Sequence, residues 1–172
     1  DIELTEGKRI LIISGPNAGG KSVCLKTVGL LQYMLQCGLL IPLHERSRTG
    51  IFEHIFIDIG DEQSIENDLS TYSSHLTNMK YFVKNCNERT IILIDEFDSG
   101  TEPQIGGAIA EALLDRFNRN HSFGVITTHY TNLKHFAAET TGIENGAMLY
   151  DSHRMLPLFE LCIGKPGSSF AF

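Results

Sequence analysis

Arg9-Ile10-Leu11-Ile12-Ile13-Ser14-Gly15-Pro16-Asn17-Ala18-Gly19-Gly20-Lys21-Ser22-Val23 is the stretch whose reading decides the fold. An apolar, β-branched run stops at a glycine, turns through a glycine-rich loop and passes into a helical pattern. Gly15 to Ser22 fits the spacing G-x-x-x-x-G-K-[ST] in the context that spacing requires, strand before and helix after. Glycines let successive backbone N–H groups turn inward on an anion. The helix that follows adds its positive end. Lys21 is placed to reach the β- and γ-phosphates, and the Ser22 hydroxyl to ligate Mg²⁺. Gly15, Pro16, Asn17, Ala18, Gly19, Gly20, Lys21, Ser22 and Val23 are therefore the expected phosphate cradle. The bland alternative is a glycine-rich strand–helix turn that binds nothing; the flanking elements argue against it.

Outward from this turn, strand signals recur as short apolar runs bounded by turn residues. They are Arg9–Ser14, Glu53–Ile59, Thr90–Asp95 and Phe123–Thr127, with weaker ones at Met148–Tyr150 and Leu158–Ile163. Helical patterns lie between. Gly20–Cys37 is apolar nearly all round, which predicts a helix buried between layers. Leu76, Met79, Val83 and Cys86 step along one face of a second helix. Ile105, Ile109, Ala112, Leu113 and Phe117 mark a third, begun after Pro103. A short fourth starts near Asn132, read as its N-cap. Strands alternating with helices predict an α/β fold, a largely parallel central sheet flanked by helices. Ile91-Ile92-Leu93-Ile94 is continuously apolar, as in a strand covered on both faces.

That strand ends in Asp95-Glu96. Ligands gather at the carboxyl ends of strands in a parallel sheet, so both acids are expected to face the cradle. Asp95 suits the outer shell of Mg²⁺, and Glu96 suits a general base that polarises an attacking water. Two acids at a strand end are, taken alone, ordinary solvated turn residues; the cradle makes them a site. Glu96 favours water as the nucleophile, hence a hydrolase. No acceptor site or arginine-rich lid is readable that would favour a phosphotransferase. The strand Phe123–Thr127 runs into Thr128-His129-Tyr130, which places His129 at the same edge, within reach of the γ-phosphate or the water. The polar stretch Gly60–His75 contains Ser70-Thr71-Tyr72. It reads either as a solvated acidic loop with a helix cap or as hydroxyls at a helix N-terminus forming a second phosphate patch. Spacing does not decide between these. The second would act in trans, on a nucleotide held by a partner subunit.

The chain has 172 residues, 42% of them apolar, which is one domain (1–172) with a sizeable core. Its 21 acidic and 14 basic side chains leave a formal charge of −7. That balance is poor for wrapping a nucleic-acid backbone, which needs Lys and Arg. Cys24, Cys37, Cys86 and Cys162 form no CxxC pair, so a reduced, cytoplasmic compartment is the simpler reading. No apolar run reaches the ~18 residues that span a bilayer. His44, His54, His121, His135 and His153 share no metal-ligand spacing, and Cys24 on the cradle helix reads as packing. The abrupt start at Asp1 and the end at Phe172 lead us to expect a piece of a longer polypeptide.

Together these residues resemble the ATPase domain of the MutS family, within the wider ABC-type ATPase group, over nearly the whole chain. The family's cradle is Gly-Pro-Asn-Met-Gly-Gly-Lys-Ser/Thr, with Ala18 here in place of Met. Asp95-Glu96 match its acidic strand end, and Thr127-Thr128-His129-Tyr130 match its Thr-Thr-His-Tyr. Ser70-Thr71-Tyr72 match its Ser-Thr-Phe signature, whose serine touches the γ-phosphate on the other subunit. Asp58–Glu66 and Gly164–Phe172 resemble the second MutS branch. That branch lacks the mismatch-reading module and usually carries a nuclease-like domain. It is associated with suppressing recombination on branched DNA or with rescue of stalled ribosomes. The resemblance implies ATP and Mg²⁺ as ligands and a homodimer with composite sites. It also implies branched or mismatched DNA, in recombination or mismatch-repair-like transactions, or a ribosome as partner, through regions this chain does not contain. Where the branch has Leu-Gly-Ala-Gly-Thr-Asp-Pro, this chain reads Phe97-Asp98-Ser99-Gly100-Thr101-Glu102-Pro103. Asp98 for glycine raises the cost of a positive φ there. It is the one support for the alternative, a nucleotide-binding regulatory module with little hydrolysis.

Overall fold

The apolar runs pair into one sheet whose strand order places the chemistry. The computed structural model describes residues 1–59, 68–97, 102–151 and 153–167, of which Asn17 and residues 68–72 by backbone alone. Its elements run β1 (Lys8–Ser14), a 3₁₀ turn (Asn17–Gly19), α1 (Lys21–Gln36), β2 (His54–Asp58), α2 (Asp68–Asn85) and β3 (Thr90–Ile94). They continue with α3 (Pro103–Arg119), β4 (Phe123–Thr127), α4 (Thr131–Glu139), β5 (Gly142–Asp151) and β6 (Leu156–Ile163). The sheet order is β2-β3-β4-β1-β5-β6. Every pairing is parallel except the last, where β6 returns antiparallel on β5. The expected α/β architecture is what the chain adopts.

Alternation along β1 and β3 divides the core between two faces of the sheet. Ile10, Ile12, Ile92 and Ile94 join Met79, Phe82, Ala110, Leu114, Phe117 and Leu133 under α2, α3 and α4. Leu11, Ile13, Ile91 and Leu93 join Leu25 and Val125 under α1. β3 is buried at all five positions, as its unbroken apolar run predicted. Burying each such side chain contributes about 1.5–3 kcal/mol.

Three helix readings are corrected. α1 is not buried all round: it buries Lys21, Leu25 and Gly29, while Val23, Leu30 and Tyr33 are exposed. Among the described helices it is the one on its face of the sheet, so the stripe it buries is the one that meets the strands. In α3 the buried residues are Gly106, Gly107, Ala110, Leu114 and Phe117. Of the expected face only Phe117 is among them, and Ile105 is exposed. The small stripe wins because α4 packs closely there: a Cβ on Gly107 would lie 3.0 Å from Asn132 Oδ1. Asn132 itself does not cap α4, whose N-cap is Tyr130. Its amide is spent on α3 instead, donating to Gly107 O at 2.8 Å and Glu111 Oε2 at 2.9 Å. The second helix keeps its face, with Met79 and Cys86 buried and Phe82, unread in the sequence, added to them. Among the described residues no helix is long and apolar enough to cross a membrane.

Candidate functional site

The turn after β1 folds as a cradle because its backbone goes where only glycine goes easily. Gly15 has φ 140° and Gly20 φ 88°. A Cβ on Gly15 would meet Met148 O at 3.0 Å. Gly19 N–H closes the 3₁₀ turn on Pro16 O at 3.0 Å. The first bond of α1 runs from Cys24 N–H to Gly20 O at 2.9 Å, which puts the helix's positive end at Lys21 to Val23. Lys21 is buried and folds back over the loop, donating from Nζ to Gly15 O at 3.0 Å and Pro16 O at 3.2 Å. Ser22 is half-buried, while Ala18 and Val23 are exposed. The side chain of Asn17 lies outside the described residues.

β4 lies between β1 and β3, so it joins the cradle's strand to the acidic one. Thr127, at the end of β4, is fully buried. Its hydroxyl donates to Asp95 Oδ1 at 2.6 Å and accepts the Glu96 N–H at 2.8 Å. Phe97 N–H donates to Thr127 O at 3.0 Å, and Thr128 N–H to Ile13 O at 3.1 Å, one residue before the end of β1. Glu96 adopts φ 50°, an uncommon conformation for a residue with a Cβ and one that collects at functional sites. His129 Nε2 stands 4.0 Å from Glu96 Oε1, with each side chain about a third exposed. Asp95, Glu96 and His129 thus meet at one end of the sheet, the end at which the cradle leaves β1.

Compared with protein families, residues 11–168 match the family model described as MutS domain V. The chain belongs to the MutS family, as its domain V. It is 46% identical over 172 residues to the endonuclease MutS2 of Caldanaerobacter subterraneus. It is also 46% identical to the putative endonuclease MutS2 of Bacillus subtilis and 48% identical to the endonuclease MutS2 of Pediococcus pentosaceus. Each match covers all of this chain and 22% of the relative, so the chain spans about a fifth of their length.

Among the described residues no group of three or more His, Cys, Asp or Glu could hold a metal ion. Ser22 and Asp95 are oxygen donors, the kind Mg²⁺ takes singly or in pairs while phosphates and water complete its shell. Cys24 is half-buried and burial pushes its thiol up, which agrees with the packing reading. Ser70 lies in α2, but its side chain is outside the described residues, as are Asp98 and Ser168–Phe172.

Four contacts of this MutS domain were not read from the sequence. Phe159, from β6, lies against the cradle: its Cδ1 is 3.0 Å from where a Cβ on Gly20 would sit. Its ring is exposed, and its φ of 53° marks a break in the β6 ladder. Gly167 N–H donates to Ser14 Oγ at 2.8 Å, and Lys134 Nζ donates to Gly167 O at 2.9 Å, so the segment after β6 straps across the base of the cradle. His75 pairs through Nδ1 with Asp58 Oδ2 at the end of β2. Each joins residues far apart in the chain, for which no local pattern exists.

Proposed function

We propose that this chain is the ATP-binding and ATP-hydrolysing domain of a MutS-like protein of the second branch. The observation that supports it best is the Thr127 bridge, which fastens Asp95 and Glu96 beside the strand that carries the cradle. The cradle holds the triphosphate through backbone N–H groups and Lys21. Ser22 and Asp95 hold Mg²⁺, which when bound neutralises charge on the phosphates. Glu96 takes a proton from the attacking water, and His129 orients that water or the terminal phosphate. The exposed ring of Phe159, set against Gly20, offers a face on which a base stacks.

The proposal extends to assembly. Two copies close around two nucleotides, with Ser70 of each completing the site of the other; the added charge-assisted contacts favour the closed state. In the full protein this opens and closes a grip on branched DNA or on a ribosome, through regions outside this chain. The relatives are named endonucleases. To the segment matched here we assign nucleotide turnover.

Phosphate release and nucleotide binding, measured together, test this reading. Lys21→Ala is expected to lose both. Glu96→Gln is expected to bind ATP and not turn it over, and undiminished release by that variant would remove Glu96 as the base. Turnover per molecule is expected to rise with protein concentration and to fall in Ser70→Ala. A rate that ignores both would remove the trans site. ATP-dependent partner binding without phosphate release would instead favour the regulatory module.

A further inference from the structure

We propose that His75 is a positioning residue for hydrolysis, acting through the two neighbours of the Asp95–Glu96 pair. The proposal rests on the hydrolytic reading above. His75 sits on α2, and its Nδ1 is paired with Asp58 Oδ2; the two side chains are 14% and 13% exposed. Asn78, almost one turn further on, donates from Nδ2 to Asp58 Oδ1 at 3.1 Å. Both carboxylate oxygens of Asp58 are thereby committed to α2. Asp58 is the last residue of β2, and its backbone carbonyl accepts the Asp95 N–H at 2.9 Å. The same imidazole meets the ring of Phe97 edge-on, with centroids 6.3 Å apart and planes at 67°. Phe97 is buried and is the residue after Glu96.

One side chain therefore braces both sides of the acidic pair: the residue that hydrogen-bonds Asp95, and the residue that follows Glu96. Glu96 needs such bracing, because a positive φ on a residue with a Cβ persists only where its surroundings hold it. A general base displaced by ~1 Å costs on the order of a hundredfold in rate. Among the described residues none of the contacts of His75 reaches the cradle, so its loss is expected to leave ground-state nucleotide binding intact. The contribution of His75 is thus to the transition state.

The test uses the full-length protein with His75→Ala, His75→Asn and Asp58→Asn. Three quantities are read: kcat for phosphate release, affinity for a non-hydrolysable ATP analogue, and affinity for ADP with vanadate, which resembles the transition state. His75→Ala is expected to lower kcat and vanadate affinity by about tenfold or more, with analogue affinity unchanged. His75→Asn keeps a donor near the place of Nδ1 and is expected to recover most of the loss. Undiminished kcat in His75→Ala overturns the proposal, as does a loss of all three quantities in step with the unfolded fraction. Should His75→Ala not fold, Asp58→Asn, which keeps the shape and weakens the pair, carries the test. A selective loss of kcat in it supports the proposal, and no loss overturns it. Glu96→Gln run alongside separates the two readings. If it turns over ATP normally the hydrolytic reading has failed. If it is dead while His75→Ala is normal, only the role of His75 has failed.

Discussion

Thr127 Oγ1 donates to Asp95 Oδ1 across 2.6 Å, inside the sheet and shielded from water. The hydroxyl has one proton to give and gives it to the carboxylate; its lone pair takes the Glu96 N–H. Thr127→Val keeps the shape and removes both bonds. It is expected to lower kcat by on the order of ten- to a hundredfold. It is also expected to cost about 1–3 kcal/mol of stability through the buried groups left unpaired. Thr127→Ser, which keeps the hydroxyl, is expected to retain most activity. Steady-state phosphate release and urea unfolding check both.

Glu96 holds a backbone conformation that costs a residue with a Cβ about 1–2 kcal/mol. Glu96→Gly relieves that cost and removes the carboxylate. The expected outcome is a protein as stable as the parent or about 1 kcal/mol more so, with hydrolysis abolished. Thermal unfolding beside an activity assay reads this trade, and a clear fall in stability would show that the strain is not there.

Phe159 tests the base platform. Stacking a base on an aromatic ring is worth about 1–3 kcal/mol, so Phe159→Ala is expected to weaken ATP binding by roughly ten- to a hundredfold. Inorganic tripolyphosphate has no base, and its binding is expected to be unchanged. Equal losses for both ligands would mean that the ring only shapes the cradle.

Gly167 is placed where no side chain fits. A Cβ there would lie 2.7 Å from Ser14 O, a backbone atom that cannot swing aside. Gly167→Ala is expected to push the strap off the cradle. That costs about 1–3 kcal/mol of stability and weakens nucleotide binding with it. Calorimetric titration with an ATP analogue and a thermal melt of the same variant check this.

Cys24 and Cys37 stand at opposite ends of α1's surroundings, one half-buried and one exposed. Burial raises the Cys24 thiol, so less of its reactive thiolate is present at a given pH. An alkylating reagent near neutral pH is expected to label Cys37 and spare Cys24, with Cys24 reacting only as the pH climbs past the usual thiol range. Peptide mapping by mass spectrometry reads the order.

The local structure of this protein was legible in its residues. Ile10 to Ser14 and Ile91 to Ile94 declare buried strands through unbroken apolar runs, and Gly15 to Ser22 declares a glycine-rich turn between strand and helix through spacing. The helix faces were less so. α1 reads as apolar all round, yet only Leu25 and Gly29 join Lys21 in being buried, because pattern reports what a face could bury and not whether anything covers it. The face of α3 was misjudged because its glycines carry no hydrophobic signal, although closeness of approach made them the contact.

Sequence alone thus determined the strand–helix alternation, the cradle and the acidic strand end, since each depends on neighbours within a few residues. Tertiary structure alone decided that β4 sits between β1 and β3, which brings Thr127 to Asp95 and His129 to Glu96. It alone set Phe159 against Gly20, Gly167 against Ser14 and His75 against Asp58. Strand order follows from which faces of the sheet the helices can cover together. That is a property of the whole packed core, and no short window of residues contains it.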